Sequence, residues 1–441
     1  MGLFRYRGHS QDDSDTLTPR SVAAEQEYTD EPFANPTSLS VVDAAQDQSY
    51  PIRTVVVAFS QLTSDFLFLF SSWGIVGCYG TFLVYFHDTM LPTYSASAIA
   101  VIGSVQYFLA VLVGVVTSPW VDQGHMQWMC TVGSILTVLG IMMDSLSTSY
   151  VHVFFAHGVC LGLGAGLLYL PSISCVSEYF TMHRGGVLTL ASLGSTIGSI
   201  IFPIMFNTME PSIGYPWAVR IIGFLMMGCL LVALVLSTPR QERVPARRLW
   251  SSQAWTDLPY AFFLFSYFLC MAGVQAPNFY FPLYGKHRHY SPSIYPFATS
   301  FLKSGAAVGR LLNAMLSQQF GVMHWYLPRT LIGAVLVYCW IASDGQGSYV
   351  AIIVLYGFFT SNVLSSMPKI VSDLTDNPAD VSVRLGMASM VSSVGVLLGP
   401  PVAGALLVVE PPNFLHAQIF MGSVMTASCL GLFFVRYVKT I

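Results

Sequence analysis

The sequence predicts an all-α membrane protein with twelve transmembrane helices in two repeats of six. Three observations support this: of 441 residues 54% are hydrophobic and only 9% are charged, twelve apolar runs have about the length of a membrane span, and several residues recur at a fixed offset. Soluble domains carry about 25% charged residues. The composition therefore excludes a disordered chain, a nucleic-acid binder and an ordinary soluble enzyme, and a net charge of −3 indicates no polyelectrolyte partner.

The first 50 residues differ from the rest of the chain. They contain nine of the 22 acidic residues and no long apolar run. A segment of this composition cannot bury enough apolar surface to offset its ordering entropy. We therefore predict a disordered cytosolic tail over 1–50, which lacks the apolar region of a signal peptide.

The remaining chain divides at polar and Pro/Gly clusters into twelve apolar runs. A helix needs about 20 residues to cross a bilayer, and no run shows the short alternating pattern of a membrane β-barrel. The predicted domains are an N-terminal six-helix lobe over 51–237, a cytosolic central loop over 238–256 and a C-terminal six-helix lobe over 257–441. The predicted spans are 62–86, 95–120, 126–147, 151–175, 185–207, 215–237, 257–283, 293–316, 325–343, 348–370, 384–409 and 413–436.

An internal repeat supports the division into six and six. Pro171 recurs as Pro368 and Pro203 recurs as Pro400, in both cases 197 residues later. Chance matching is the alternative explanation. A parallel repeat of helices is the architecture of two-lobed alternating-access transporters.

The positions of the basic residues predict the orientation, because cytosolic loops are enriched in Lys and Arg. With the N-terminus inside, 14 of the 19 basic residues fall on the cytosolic side and three on the opposite side. Arg329 is among those assigned to the cytosolic side. Both termini are therefore predicted to face the cytosol of a multi-pass protein in the cell membrane, with the vacuolar membrane as the alternative.

Several segments together identify a family. Residues 158–171 read GVCLGLGAGLLYLP, residues 194–198 read GSTIG, residues 309–312 read GRLL and residues 399–404 read GPPVAG. In this combination the chain resembles the fungal monocarboxylate-porter-like branch of the major facilitator superfamily, over about residues 55–438. The resemblance implies the major facilitator fold and alternating access, and many members of this branch are taken to export metabolites.

The sequence also departs from the family pattern. The loop after the second span reads Asp122-Gln123-Gly124, without the basic residue that usually follows the Asp. Animal proton-linked lactate carriers have a lysine and an aspartate where this chain has Gly77 and Ala306. Their carboxylate–proton mechanism is therefore not carried over to this chain.

Two basic residues fall inside the eighth predicted span. A charge at the centre of a membrane helix costs at least about 2.5–3.5 kcal/mol, so Lys303 and Arg310 require an explanation. They are two helical turns apart and share one face. We expect both to face a cavity and to bind an anionic substrate, as the resemblance implies for Arg310. The alternatives are that Arg310 extends to the interface or pairs with a carbonyl group, and that Lys303 faces lipid or pairs with an acid.

Four further residues are predicted to contact the substrate. The seventh span ends in two prolines, and prolines are tolerated where a helix lines a cavity or bends. Asn278 and Tyr280 follow the first of them, Pro277, and offer hydrogen bonds. An aromatic belt at the membrane interface is the alternative. Trp73 in the first span and Asn362 in the tenth complete the set.

His157 lies in the fourth span and is a candidate proton relay, because imidazole titrates near neutral pH. The alternative is a packed, hydrogen-bonded core residue. Asp65 and Asp144 are expected at helix ends near the membrane interface.

Conformational change requires residues that loosen helices or form tight turns. Prolines interrupt helical hydrogen bonds and small residues let helices approach closely. Glycines such as Gly198 are expected mainly to serve packing between helices that slide or rock. The predicted gating residues are Asp122, Gly124, Gly198, Pro203, Pro277 and Pro400.

No motif indicates enzyme chemistry. The sequence contains no HExxH, GxSxG or GxxxxGK[ST] pattern. The basic run over 286–289 is better explained as an exposed cationic loop than as a metal site. We therefore expect no enzyme activity, no cofactor and no metal, and any active transport has to use a gradient, for which protons are the first candidate.

The predicted function is secondary active transport of a small anionic or amphipathic organic metabolite by alternating access, with efflux of a fungal secondary metabolite as the leading hypothesis. Proton-coupled uptake of a monocarboxylate or similar nutrient is the alternative, and a non-transporting membrane sensor is a remote one. The expected partners are a small-molecule substrate, protons and the lipid bilayer, without nucleic acid. The expected oligomeric state is a monomer.

Overall fold

The computed structural model describes residues 52–179, 184–238, 249–361, 363–407 and 413–439. Within these ranges the regular structure is helical and no β-strand occurs, which confirms the predicted all-α class. The predicted tail over 1–50 and residues 239–248 of the predicted central loop lie outside the described residues. The first helix begins at Ile52, ten residues before the predicted span.

The N-terminal half of the chain, residues 52–238, starts with a broken helix. Gly77 and Cys78 separate α1 from α2, and a π-helical turn over Phe86–Met90 follows. Ser95 caps α3 by accepting a hydrogen bond from the Ala98 amide at 3.2 Å. The helices of this half are α1 Ile52–Val76, α2 Tyr79–Tyr85, α3 Ala96–Val116, α4 Ser118–Asp122, α5 Met126–Asp144, α6 Tyr150–Val153, α7 Leu161–Tyr179 and α8 Arg184–Leu236.

The C-terminal half, residues 249–439, contains a second broken helix, which is interrupted at Ser361. Gly321 has a φ of 87° and separates two long helices at a turn that favours glycine. The helices of this half are α9 Leu258–His287, α10 Ala298–Phe320, α11 Val322–Ile341, α12 Gln346–Thr360, α13 Val363–Leu374, α14 Val381–Ala405 and α15 Leu415–Lys439.

Nine helical segments of the described chain are long and apolar enough to cross a membrane. One of them, Gly186–Leu236, contains two helices joined at Gly214, where φ is 77°. Helices α10 and α11 have sufficient length but carry more polar residues, among them Lys303, Arg310 and Arg329. Each of the twelve predicted spans thus corresponds to helical structure.

Three polar residues that were predicted on the cytosolic side or near the membrane interface are buried within the protein. Arg329, which was assigned to the cytosolic side, is 1% exposed in α11 and donates to the Ser361 carbonyl and to Ser366 Oγ, the latter at 2.9 Å. Asp65 and Asp144, which were expected at the interface, are also buried. Hydrogen bonds between distant helices, which a single sequence does not display, accompany this burial, and the predicted positions relative to the membrane stay predictions.

Candidate functional site

A cavity of about 840 Å³ lies between the N-terminal and C-terminal halves. Its lining comes from α1, α2, α3, α4, α7 and α8 in the first half and from α9, α10, α12, α13 and α14 in the second. Gln318, Gly321 and Lys369 line one end and are exposed, so the cavity opens there. We call this the open end. Pockets for small organic ligands usually measure about 300–1,000 Å³, so the cavity has room for such a ligand.

The two halves touch at the other end of the cavity, which we call the closed end. The Thr81 hydroxyl donates to Thr299 Oγ1 at 3.1 Å, near the start of α10. A Cβ atom at Gly80 would overlap the backbone oxygen of Asn278, so this approach requires glycine. The Tyr79 and Phe279 rings pack 5.0 Å apart. The cavity is therefore accessible from one end and blocked at the other.

Lys303 and Arg310 both line the cavity, on the single helix face that their spacing predicted. The guanidinium of Arg310 reaches across to α8, where Nη1 donates to the Ser192 carbonyl at 2.6 Å and to Ser195 Oγ at 3.1 Å. The ammonium of Lys303 forms no hydrogen bond or ion pair with a described residue. Lys303 is thus a cation in the cavity wall without a carboxylate partner in the described chain.

Aromatic side chains form another part of the lining. Trp73 lies in the wall, and its ring packs against Tyr107 at 5.4 Å and Tyr169 at 4.7 Å. The indole N–H of Trp73 is buried and has no hydrogen-bond partner among the described residues. The same is true of the Thr196 hydroxyl on α8, which also lines the cavity. Buried polar groups are normally paired, so the wall offers unused hydrogen bonds.

The two candidates on α9 occupy different environments. Asn278 lines the cavity and donates from Nδ2 to Gln275 Oε1 at 2.5 Å, whereas its Oδ1 has no partner among the described residues. Tyr280 does not line the cavity. It is fully buried, and its hydroxyl donates to the Pro400 carbonyl at 2.7 Å. The structure therefore corrects the placement of Tyr280, because the helix turns this side chain towards α14.

Asn362, a predicted substrate contact, is not among the described residues. His157, the predicted proton relay, does not line the cavity. His157 is fully buried in a π-helical turn over Phe154–Cys160, where its Nδ1 lies 2.8 Å from Asp144 Oδ2. The structure thus gives His157 a specific acidic neighbour that the sequence analysis did not identify.

The predicted gating residues are spread over several helices, and their role remains a prediction. Asp122 is buried at the end of α4, and Gly124 follows with a φ of 85°. A Cβ atom at Gly198 would overlap the Phe70 carbonyl oxygen, so this glycine joins α8 to α1 within one half. The remaining three lie inside helices: Pro203 in α8, Pro277 in α9 and Pro400 in α14.

The basic run over 286–289 is only partly the exposed loop that was predicted. Lys286 is half-buried at the end of α9, and its Nζ lies 2.6 Å from Asp88 Oδ2 of the first half. His287 is also half-buried, whereas Arg288 and His289 are exposed. In the described residues no cluster of three or more His, Cys, Asp or Glu side chains is arranged to bind a metal.

Sequence reasoning missed Tyr107, Tyr169, Ser192 and Thr196 as lining residues. The serines of α8 gave a usable signal, because Ser192, Ser195 and Ser199 recur at helical spacing and all line the cavity. The tyrosines gave none, since aromatic residues are common throughout this chain.

Comparison with known proteins points to one family. A model of the Major Facilitator Superfamily matches residues 54–354 and 263–440. The MFS-type transporter dbaD of Emericella nidulans is 32% identical over 353 residues, which are 80% of this chain and 80% of that protein. The aspyridones efflux protein apdF of the same organism is 32% identical over 360 residues, which are 81% of this chain and 73% of that protein.

Among solved structures, the crystal structure of the nucleoside transporter NupG is similar, with a TM-score of 0.62 and 16% sequence identity. The similarity covers 86% of this chain and 98% of that chain. At this level of identity it supports the fold alone.

Proposed function

We propose that this chain, which belongs to the major facilitator superfamily, exports a small anionic or amphipathic organic metabolite from the cytosol. Membership makes the protein a membrane transporter and not an enzyme, as the sequence predicted. Two-lobed carriers of this kind bind substrate near the middle of the membrane and expose the site to each side in turn.

One observation carries the proposed substrate class. Lys303 and Arg310 both face the cavity, and Lys303 has no carboxylate partner among the described residues. An unpaired cation inside a membrane protein is costly, and an anionic substrate would offset that cost. The two groups are about 10 Å apart along the helix axis. The aromatic rings of Trp73, Tyr107 and Tyr169 would contact the apolar part of the same molecule.

The direction follows from the orientation and from a relative. The basic residues favour both termini in the cytosol, and this orientation supports a cytosolic position for the open end, with Lys369 and Gln318. A cavity that opens to the cytosol is in position to receive an internal metabolite. The relative named as an aspyridones efflux protein also favours export.

Several finer features belong to the same proposal. We infer two six-helix lobes over 51–237 and 257–441, membership of the monocarboxylate-porter-like branch, a monomeric state and a proton gradient as the energy source. The cell membrane is the proposed location, with the vacuolar membrane as the alternative.

The test is metabolite profiling of cells and medium with and without the protein, with variants of the two cavity cations. Lys303→Met and Arg310→Met remove charge at similar length, Lys303→Arg retains it, and Lys439→Met is the matched control, because Lys439 pairs at the surface with Asp376 at 2.8 Å. We expect one anionic compound to accumulate inside cells that lack the protein or carry either cavity variant. Lys303→Arg should retain part of the export, and Lys439→Met should behave as wild type.

Two results would contradict the proposal. A compound that remains in the medium when the protein is absent would make the chain an importer, in line with the alternative of proton-coupled uptake. Unchanged export in both cavity variants would show that the α10 cations do not bind the substrate, although the chain would remain a transporter.

A further inference from the structure

A second polar cluster lies in the N-terminal half, away from the cavity lining. Asp144 at the end of α5 and His157 in the π-helical turn are both fully buried, with Oδ2 and Nδ1 2.8 Å apart. The Tyr215 hydroxyl donates to the same carboxylate oxygen at 2.9 Å. We call these three residues the Asp144 cluster. Ionisable residues inside membrane segments are rare and usually functional.

The cluster is not fully paired by the protein. Asp144 Oδ1 and His157 Nε2 are buried and have no hydrogen-bond partner among the described residues. The rings of Tyr79, Phe82 and Phe86 surround the imidazole, with centroid distances of 5.4, 5.0 and 5.8 Å. Unpaired polar atoms in an apolar shell reduce stability, so packing alone does not explain why these two residues lie here.

The net charge of the pair depends on a single proton. With a neutral imidazole and an ionised carboxylate the pair carries a charge of −1, and one additional proton makes it neutral. Arg220 donates to Ser145 Oγ at 3.3 Å, and among the described residues it forms no ion pair with Asp144. A buried charge without a counter-ion is strongly disfavoured. Gain or loss of one proton therefore changes the net charge of this buried pair.

The other titratable groups around the Asp144 cluster do not supply a positive charge that could take the place of that proton. They are phenols and one acid: Tyr79 packs on His157, Tyr85 stacks on Tyr215 at 4.9 Å, and Glu210 lies near Tyr85. Phenols are neutral at physiological pH, and a further acid adds negative charge.

We infer that Asp144 and His157 form a proton-binding site that couples transport to a proton gradient. The site lies beside the helix segment that blocks the cavity. Tyr79 contacts both the His157 ring and the Phe279 ring of the other half, at 5.4 and 5.0 Å. Two residues further on, Thr81 bonds Thr299. A change in the charge of the pair therefore acts on α2, whose residues form the closed end.

Proton binding is tested without any substrate, on the purified full-length chain in lipid bilayers. Infrared difference spectra between alkaline and acid pH report carboxylate and imidazole protonation. We expect wild type to show bands that disappear in both Asp144→Asn and His157→Gln. His152→Gln is the matched control, because His152 lies five residues earlier on the same span and is exposed. Spectra of Asp144→Asn and His157→Gln that match wild type would overturn the proposal.

Tyr215→Phe provides a mild second variant in case the others fail to fold. It removes one hydrogen bond to the carboxylate and keeps the ring that stacks on Tyr85. We expect the carboxylate band to remain but to change in frequency, because the carboxylate loses the hydrogen bond from Tyr215. A band at the wild-type frequency would contradict a cluster centred on Asp144.

The coupling role rests on the transport function proposed above, whereas proton binding does not. The coupling role is tested in vesicles that contain the protein, with the metabolite identified by profiling. Two rates are measured: metabolite accumulation driven by a pH gradient, and metabolite exchange without a gradient. The readout is the ratio of the first rate to the second. We expect this ratio to fall about tenfold in His157→Gln and to stay at the wild-type value in His152→Gln. An unchanged ratio in His157→Gln would overturn the coupling role while leaving export intact.

Discussion

The carboxylate of Asp88 and the ammonium of Lys286 lie 2.6 Å apart and join the end of the first broken helix to the end of α9. The Nδ1 atom of His87 is 2.5 Å from the other oxygen of Asp88. This ion pair connects the two halves of the chain at the closed end. The side chains of Asp88 and Lys286 are 20% and 39% exposed. Because solvent screens such charges, the ion pair contributes only modestly to the free energy that holds the two halves together.

Loss of the Asp88–Lys286 ion pair should shift the equilibrium between the closed and open states of the closed end towards the open state. Lys286→Ala removes up to about 1 kcal/mol, which corresponds to a fivefold change in an equilibrium constant. Cys78 is buried between the cavity-lining residues Gly77 and Tyr79. In a variant that keeps only this cysteine, we expect Lys286→Ala to accelerate its labelling by an impermeant maleimide about fivefold from the side of Lys286.

Two controls define that experiment. Arg288→Ala removes a neighbouring cation that pairs with Asp344 of its own half at 3.5 Å, and it should leave labelling unchanged. The double exchange Asp88→Lys with Lys286→Asp should restore slow labelling. Equal labelling in wild type and Lys286→Ala would show that the ion pair does not stabilise closure.

Replacement of Gly80 should act more strongly than loss of the ion pair. A Cβ at this position overlaps the Asn278 backbone oxygen, and backbone cannot move aside as a side chain does. We expect Gly80→Ala to reduce export at least tenfold and to increase labelling of Cys78. Gly228→Ala is the matched control, because a Cβ there meets no atom of the described residues within 4 Å. Normal export by Gly80→Ala would mean that the two helices need not approach this closely during transport.

Trp73→Phe should weaken substrate binding and leave the fold intact. The change keeps an aromatic ring beside Tyr107 and Tyr169 but removes the unpaired indole N–H. A hydrogen bond to that group is worth about 0.5–1.5 kcal/mol, or more if the substrate is charged. We expect the metabolite concentration for half-maximal export to rise about three- to tenfold.

The chain offers a close control for Trp73. Trp340 is fully buried and, like Trp73, has an indole N–H without a hydrogen-bond partner among the described residues, but it does not line the cavity. Trp340→Phe should leave that concentration unchanged. The same shift in both variants would attribute the effect to general packing.

Arg329→Ala should destabilise the protein. It leaves the Ser361 carbonyl and the Ser366 hydroxyl without their donor and exposes a gap beside Tyr326, over which the guanidinium lies at 4.8 Å. We expect the free energy of unfolding to fall by about 2–4 kcal/mol, measured by thermal unfolding in detergent. Arg436→Ala is the control, because Arg436 forms no hydrogen bond with a described residue. Equal thermal stability of the two variants would contradict a structural role for Arg329.

Local patterns predicted the helices and one face of the cavity. The lengths of the apolar runs predicted the membrane spans. The separation of two helical turns predicted that Lys303 and Arg310 share one helix face. The contacts between distant segments did not follow from such patterns. Nothing near Asp144 in the sequence indicates His157 13 residues later on another helix, or Tyr215 beyond both. The burial of Arg329 did not follow from the sequence, because counting basic residues near helix ends does not reveal the carbonyl groups of a broken helix.

The two candidate residues on α9 also show that a sequence pattern does not reveal which side chains face another segment. Asn278 and Tyr280 are two residues apart, so they point in different directions from one helix, and only one of them reaches the cavity. The proline signal indicated the right segment of the chain. It did not indicate which side chain faces the other half.

The polarity of α10 also has a consequence for biosynthesis. Each of its two membrane cations opposes insertion by about 2.5–3.5 kcal/mol, so this segment enters a bilayer poorly on its own. Its glycines Gly305 and Gly309 allow the backbone of α12 to approach so closely that a Cβ at either one would overlap a carbonyl oxygen of that helix. We therefore expect α10 to become firmly anchored only after α12 has been synthesised, so that the residues proposed to bind the substrate would also delay maturation of the nascent chain.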